Sequence, residues 1–186
     1  VTDLVVGDRV AYAAGPLGAY AEARLMPADR VVKIPAGISD AQAAAMMLQG
    51  MTVQYLLRRT YRVQPGDTLL VHAAAGGVGL ILCQWAQHLG ATVVGTVSSD
   101  EKAALARANG CTHTIVYTRE DFQSRLLDIT NGQKVPVVYD SVGVDTCAKS
   151  LDCLAPMGTM VLFGQASGPV PPFDLGQLAA KGSLFI

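Results

Sequence analysis

The stretch that decides the fold of this chain lies at residues 68–90 and reads TLLVHAAAGGVGLILCQWAQHLG. It opens on an apolar run at 68–73, which is typical of a buried strand. After a glycine-rich turn, apolar residues recur at i, i+3, i+4, i+7, i+8 and i+11 from Val78 to Leu89, the period of a helix packed on one face. Gly90 follows at the position where glycine commonly ends a helix. The stretch therefore predicts a strand, a tight turn and a buried helix.

Strand and helix patterns alternate along most of the remaining chain. The further apolar runs typical of strands lie at 92–97, 114–117, 135–139, 159–163 and 184–186. Helical patterns occupy most of the gaps between them. Parallel strands need crossover helices, and strands that are buried on both faces read as solid apolar runs. We therefore predict an α/β fold with a doubly wound parallel sheet of six strands.

The first 36 residues have a different pattern. Short apolar runs at 9–14, 19–26 and 31–34 alternate with turn residues, which predicts β-rich structure too small to bury both faces of a sheet. From Ser39, a candidate helix N-cap, the helical period takes over. The chain opens on Val1 rather than Met and closes in an apolar run, so we expect a piece of a longer protein.

Composition excludes several classes of protein. With 51% hydrophobic residues and a net charge of −1, the chain lacks the low hydrophobicity and high charge of a disordered segment. Lys and Arg form no cluster, so the sequence disfavours a nucleic-acid partner held by phosphate contacts. Residues 68–99 carry no Asp, Glu, Lys or Arg, but glycines, glutamines and histidines interrupt them. This stretch therefore reads as buried strands around a buried helix rather than as a membrane span.

Cysteine and histidine usage predicts no metal site. None of the four cysteines has Cys-x-x-Cys spacing: Cys83, Cys111, Cys147 and Cys153. They lie in apolar contexts, which is typical of reduced, buried cysteines in a cytoplasmic protein, and no secretory signal opens the chain. The three histidines do not have the spacing of a ligand set: His72, His88 and His113. We predict structural roles for all three.

The glycine-rich turn predicts a nucleotide site. Gly76 would let the backbone approach a pyrophosphate without a Cβ in the way, and Gly79 would let the helix pack close to the strand. The start of the helix supplies N–H groups and partial positive charge for the phosphates. Ala74 stands where the usual G-x-G-x-x-G fingerprint has its first glycine. A tight strand-to-helix turn without a ligand therefore stays as the alternative.

The end of the next strand indicates which dinucleotide would bind. An NAD enzyme usually has an acidic residue there, but this strand ends in Ser98 and Ser99, and Asp100 and Glu101 fit the first turn of the following helix. Lys102 can turn back towards the same point. Two hydroxyls and an ammonium suit the 2′-phosphate of NADPH, and two charged hydrogen bonds would favour NADPH over NADH by about 4 kcal/mol, roughly a thousandfold. In the alternative, Ser99 is only an N-cap and Lys102 a solvated lysine.

Seven short stretches, spread from end to end of the chain, match one family. They are GDRV at 7–10, GAYAE at 18–22, QGMT at 49–52, AAAGGVG at 73–79, GTVS at 95–98, YDSVG at 139–143 and FG at 163–164. On these the chain resembles the quinone oxidoreductases of the zeta-crystallin type, in the zinc-free branch of the medium-chain dehydrogenases and reductases. The resemblance implies a Rossmann NADPH-binding domain over 37–186, preceded at 1–36 by the C-terminal remnant of a GroES-like catalytic domain. It also implies that both ends of the protein are missing here.

The resemblance further implies which residues bind NADPH. Thr52 would lie beside the nicotinamide, Ser98 and Lys102 would hold the 2′-phosphate, and Tyr117 would lie against the adenosine end. The other cofactor-binding residues would line the cleft at the carboxyl ends of the strands: Ala75, Gly76, Gly77, Val78, Gly79, Ser141, Val142, Phe163 and Gly164. The alternatives are a helix N-cap for Thr52 and an aromatic covering a sheet edge for Tyr117. No residue is assigned as catalytic, and none as a metal ligand.

The implied function is zinc-independent, NADPH-dependent reduction, in which hydride passes from the nicotinamide to a small-molecule quinone or activated alkene. The isolated piece is expected to be inactive. The alternatives are an enoyl reductase of the fatty-acid or polyketide type and a non-catalytic NADPH- or RNA-binding relative. The family dimerises at the sheet edge, so a homodimer through the edge near Leu184 and Ile186 is expected.

Overall fold

The computed structural model describes residues 4–15 and 17–186, which fall into two compact units, Val1–Thr52 and Val53–Ile186. The first unit contains a two-stranded antiparallel ribbon, β1 (Val10–Ala11) with β2 (Val32–Lys33). A short 3-10 turn precedes β2, and helix α1 (Asp40–Tyr55) follows it. The predicted boundary at residue 36 stays a prediction, and residues 1–3 and 16 of that predicted domain lie outside the described ones.

The first unit contains less β-structure than the sequence predicts. No strand forms within 19–26, where Tyr20 and Leu25 are almost fully exposed. A strand is stable only if its backbone N–H and C=O groups find partners. Among the described residues, β1 and β2 pair only with each other. An apolar run without a neighbouring strand therefore stays irregular.

Helix α1 begins at the predicted N-cap. The Ser39 hydroxyl accepts a hydrogen bond from the backbone N–H of Gln42 at 3.2 Å. In return, the Gln42 side-chain oxygen accepts from the N–H of Ser39 at 2.9 Å. Each residue thus satisfies a donor of the other, which is the capping-box arrangement.

The second unit is built around a parallel sheet of five strands. In chain order they are β3 (Thr68–Val71), β4 (Thr92–Val97), β5 (His113–Val116), β6 (Val135–Asp140) and β7 (Leu154–Leu162). Their spatial order is β5-β4-β3-β6-β7, so the sheet winds outward from β3 in both directions. The prediction of a doubly wound parallel sheet is confirmed.

The sixth predicted strand, at 184–186, does not form, so the strand count was wrong by one. Phe185 alone bridges to the sheet: its N–H donates to the Gly158 carbonyl, and its carbonyl accepts from the N–H of Met160, both at 2.9 Å. The preceding N–H, of Leu184, donates instead to the Leu178 carbonyl at 3.0 Å. A ladder needs successive paired residues, and this segment supplies one.

Helices cover both faces of the sheet. One face carries α2 (Gly77–His88) and α3 (Asp100–Ala108), and the other carries α4 (Phe122–Ile129) and α5 (Cys147–Asp152). Side chains alternate along β3, where Leu69 and Val71 belong to the first core and Leu70 to the second. Burial on both faces explains why the strands are solid apolar runs. A short helix, α6 (Gly176–Ala180), follows β7.

Two further features of the described residues bear on the sequence predictions. All four cysteines are buried and none is in a disulfide. Every helix within 4–15 and 17–186 is too short or too polar to cross a lipid bilayer.

Substituting Gly95 by Ala tests the packing of β4 against the turn that follows β3. A Cβ built on Gly95 would lie 2.5 Å from the Cβ of Ala74 and 2.6 Å from the Sγ of Cys111, and both neighbours are buried. We expect Gly95→Ala to lower the free energy of unfolding by about 1–3 kcal/mol in urea denaturation. Gly50→Ala is the control, because a Cβ there meets nothing within 4 Å. An unfolding midpoint unchanged by Gly95→Ala would contradict the close packing.

Candidate functional site

Small residues close the turn between β3 and α2. Ala73 has a φ of 53°, and its carbonyl accepts a hydrogen bond from the N–H of Gly76 at 2.9 Å. The N–H of Ala74 donates to the Thr96 carbonyl at 3.1 Å. A Cβ on Gly79 would lie only 2.6 Å from the Ala74 carbonyl oxygen. Glycine at position 79 therefore lets α2 start directly against the end of β3.

Ala74 takes the place of the first fingerprint glycine without opening the turn. Its methyl group is fully buried and packs against the backbone of Gly95 in β4, where a side chain would collide with it. The left-handed backbone conformation falls one residue earlier, at Ala73. Gly95 in the neighbouring strand thus leaves room for the methyl group of Ala74. The turn therefore accommodates an alanine where the fingerprint has glycine.

A cavity of about 160 Å³ lies at the carboxyl ends of the strands. The glycine turn, the ends of β4 and β6, the first turn of α3 and the segment after β5 line it, through Ala73, Ala75, Gly76, Val97, Ser98, Lys102, Tyr117 and Val142. Most of these are residues that the sequence predicts for cofactor binding. The structure thus brings the predicted phosphate turn and the predicted 2′-phosphate residues into one cavity, which we call the coenzyme cavity.

One end of the coenzyme cavity is polar. The Lys102 ammonium donates to the Ser98 hydroxyl at 3.0 Å. The Ser99 hydroxyl accepts from the backbone N–H of Lys102 at 3.3 Å and caps α3. Ser99 is therefore an N-cap, as the alternative proposed, whereas the side chains of Ser98 and Lys102 face each other beside the cavity.

An ion pair that sequence reasoning missed lies next to this polar end. Arg119 donates to both carboxylate oxygens of Asp100, at 2.7 and 2.5 Å. These hydrogen bonds hold the pKa of the Asp100 carboxyl below its ordinary value. The neighbouring Thr118 hydroxyl donates to the Ser98 carbonyl at 3.2 Å. The loop after β5 is thereby joined to the start of α3.

A second cavity, of about 280 Å³, shares Tyr117 and Val142 with the coenzyme cavity. One of its walls is the buried His72, whose Nδ1 lies 2.9 Å from the Thr96 hydroxyl and whose Nε2 lies 2.8 Å from the Ser150 hydroxyl. Burial lowers the pKa of His72 to about 4, and the negative charge of nearby Asp140 only partly opposes this. The imidazole is therefore neutral at physiological pH, which fits a structural role.

Asp140 organises the turn that carries Val142. Its carboxylate is fully buried and accepts from the N–H of Val142 at 2.7 Å, the N–H of Gly143 at 3.1 Å and the Thr146 hydroxyl at 2.7 Å. Sequence reasoning did not single out this residue. An Asp at a strand end followed by Ser-Val-Gly is typical of a side chain that caps the backbone two and three residues on, and this signal could have identified it.

The other predicted residues lie along the same carboxyl edge. Gly77, Val78 and Gly79 form the first turn of α2. The N–H of Phe163 donates to the Asp140 carbonyl at 2.9 Å. Gly164 packs so closely that a Cβ on it would lie 2.8 Å from the Ser141 carbonyl oxygen.

Thr52 belongs to the first unit, and its role beside a nicotinamide stays a prediction. It lies inside α1, where its hydroxyl donates to the Leu48 carbonyl at 2.8 Å. The alternative reading as a helix N-cap was therefore wrong, because α1 starts twelve residues earlier, at Asp40.

The described part of the chain holds no group of three or more His, Cys, Asp or Glu residues that could bind a metal ion. His88 ends α2 and His113 begins β5, on separate elements from the buried His72.

This geometry agrees with the comparison with known proteins, and the chain belongs to the zinc-binding dehydrogenase family, whose model matches residues 77–185. The quinone oxidoreductase of Pseudomonas aeruginosa is 58% identical over 186 residues. The 2-haloacrylate reductase of a Burkholderia species is 52% identical over 189 residues. Each alignment covers 100% of this chain and 57% of the relative.

Among solved structures, the crystal structure of Escherichia coli quinone oxidoreductase complexed with NADPH matches with a TM-score of 0.95 at 52% identity. The match covers 100% of this chain and 57% of that one. The resemblance to the quinone oxidoreductases is confirmed. The chain spans little more than half the length of these relatives.

Acid is expected to weaken the fold through His72. Its pKa of about 4 lies below the ordinary value of 6.5, so the folded state resists a proton that the unfolded state accepts. The contribution is complete above pH 6.5 and is lost as the pH falls towards 4, by up to roughly 3 kcal/mol. His72→Gln should be less stable at pH 7 but lose less stability over this range in urea denaturation. Parallel pH profiles for the two proteins would refute the assignment to His72.

Proposed function

We propose that this chain binds NADPH and forms the coenzyme-binding part of an NADPH-dependent quinone reductase. The proposal rests on one observation above all: the glycine turn, up to the N-cap Gly76 of α2, and the Ser98–Lys102 pair converge on one cavity. The relatives named for quinone reduction, and the NADPH complex of the E. coli enzyme, support the same assignment.

The residues around the coenzyme cavity fit a phosphorylated dinucleotide. At the glycine turn the walls carry methyl groups or no side chain, and the first turn of α2 leaves N–H groups without helical partners. At the other end, the Lys102 ammonium contacts a neutral hydroxyl and, among the described residues, makes no ion pair. Its charge is therefore available to an anion such as a 2′-phosphate.

The proposed roles follow the positions of the residues along the carboxyl edge. The pyrophosphate would be held by the turn and the first turn of α2: Ala75, Gly76, Gly77, Val78 and Gly79. Ser98 and Lys102 would hold the 2′-phosphate, and Tyr117 and Val142 would flank the adenosine. The rest of the cleft would be lined by Ser141, Phe163 and Gly164, with Thr52 beside the nicotinamide. When bound, NADPH supplies a hydride, and these residues bind and orient the coenzyme.

The proposed acceptor is a small-molecule quinone or an activated alkene. The Burkholderia relative, named as a 2-haloacrylate reductase, favours the activated alkene as a second candidate. An enoyl reductase of the fatty-acid or polyketide type is the remaining enzyme alternative. Steady-state assays of the full-length protein with a quinone, a 2-haloacrylate and an enoyl thioester would separate the three.

Association, metal independence and location complete the proposal. Phe185 and Ile186 are about half exposed beside β7, which supports a homodimer through that edge, whereas Leu184 is buried. Light scattering that finds a monomer would argue against it.

Three further points stay predictions. They are zinc-independent catalysis, a cytoplasmic location, and the division into a GroES-like remnant at 1–36 and a Rossmann domain at 37–186. A net charge of −1 makes the RNA-binding alternative weaker.

Reversing the charge of Lys102 tests both the function and the 2′-phosphate assignment. We expect the wild-type chain to bind NADPH in a calorimetric titration. Lys102→Glu should weaken NADPH by about a hundredfold and NADH far less, because a charged hydrogen bond is lost and repulsion gained.

The control is Lys134→Glu, which makes the same charge change beside a cavity at the amino ends of the strands. A wild-type chain that does not bind NADPH would overturn the proposed function. Equal weakening of NADPH and NADH by Lys102→Glu would overturn only the role given to Lys102.

A further inference from the structure

Asp100 and Arg119, which we call the rim pair, have no role in the site described so far. Arg119 makes two parallel hydrogen bonds to the carboxylate, yet the two side chains are 58% and 67% exposed. Exposed ion pairs add little to stability, because water screens the charges and both side chains lose freedom. The geometry is therefore more ordered than a stabilising surface contact requires.

The rim pair lies beside the polar end of the coenzyme cavity. Ser98 and Tyr117 line the cavity. Asp100 is two residues beyond Ser98 in the chain, and Arg119 is two residues beyond Tyr117. The hydrogen bond from Thr118 to the Ser98 carbonyl holds the two segments together. The pair thus spans the gap between the start of α3 and the loop after β5.

Acidic charge near this end of a dinucleotide-binding sheet affects which coenzyme binds. An acidic side chain after the second strand accepts the ribose hydroxyls of NADH, and its charge repels a 2′-phosphate. Asp100 lies three residues past the end of β4, in the first turn of α3 rather than at the strand end itself, and Arg119 occupies both of its carboxylate oxygens. An unpaired Asp100 would oppose the attraction that Lys102 exerts on the phosphate.

We propose that Arg119 determines coenzyme preference by neutralising Asp100, whose charge would otherwise repel the 2′-phosphate of NADPH. This inference rests on the proposed binding of NADPH and deepens it. Arg119 is a specificity-determining residue that acts through Asp100, whereas Lys102 meets the phosphate directly.

The other charges near the rim pair do not replace Arg119. Arg107 also acts on Asp100 at longer range, but its guanidinium is hydrogen-bonded to Thr114 at 2.6 Å. Glu101 adds a further negative charge in the same helical turn, and its pKa is lowered by a hydrogen bond with Ser99. Without Arg119, the start of α3 would therefore present the carboxylates of Asp100 and Glu101 beside the Lys102 ammonium, with Arg107 acting on Asp100 only at longer range.

The test compares Arg119→Ala with the double variant Asp100→Asn, Arg119→Ala. Calorimetry would measure the dissociation constants of NADPH and NADH, and of 2′,5′-ADP and 5′-AMP, which isolate the 2′-phosphate without any reaction. Arg119→Ala should lower the preference for NADPH over NADH about tenfold, with the same trend for the fragments. The double variant should recover a preference within about twofold of wild type, since it removes both charges together.

Lys134→Ala is the matched control, because it removes one positive charge beside the cavity at the amino ends of the strands and should leave the preference unchanged. Circular dichroism would verify that each variant is folded.

If Arg119→Ala keeps the wild-type preference for NADPH over NADH, the inference is overturned. A preference that stays low in the double variant would overturn it too, since Arg119 would then be contacting the phosphate itself. If wild type binds neither coenzyme, the proposed function falls together with this inference; if wild type prefers NADPH and the variants do not change that, only this inference falls.

Discussion

The close contact between the start of α2 and the end of β3 is the constraint on which the rest of the structure depends. A Cβ on Gly79 would collide with the backbone of the turn, and Gly95 leaves room in β4 for the methyl group of Ala74. Because these two positions lack side chains, the helix begins directly at the carboxyl edge of the sheet. The unpaired N–H groups of its first turn therefore lie where a phosphate can reach them.

Charge along this edge is divided between backbone and side chains. From 68 to 99 the chain carries no acidic residue, Lys or Arg, so the helix start offers an anion only backbone dipoles. The first charged side chains come immediately afterwards, at Asp100, Glu101 and Lys102, beside the other end of the coenzyme cavity. A ligand with a diphosphate at one end and a further phosphate at the other matches this division. The rim pair then decides how much of the acidic charge such a ligand meets.

Two buried polar side chains hold the carboxyl edge where the ladders of the sheet end. The Asp140 carboxylate accepts hydrogen bonds from backbone N–H groups of the turn after β6. The His72 ring is hydrogen-bonded to Thr96 in β4 and to Ser150 in α5, and so connects the end of β3 to both elements. Both are satisfied by hydrogen bonds, and buried polar groups in that state specify one arrangement of the backbone around them. They help to position the walls of the cavities and touch none of the groups proposed to hold phosphate.

The resemblance to the family named Tyr117 and Val142 as further residues of the site. The sequence by itself determined the alternation of strands and helices, their assembly into a doubly wound parallel sheet and the gathering of the glycine turn, Ser98 and Lys102 at one edge. These follow from periodicity and from the rule that parallel strands end on the same side. Tertiary structure alone decided the contacts between residues distant in the chain. Arg119 lies 19 residues from Asp100 and Ser150 lies 78 from His72, and no local pattern encodes such pairs. Neighbouring residues likewise decided that 184–186 forms no strand. The N–H of Leu184 donates to the Leu178 carbonyl, so only Phe185 pairs with the sheet, through one isolated bridge.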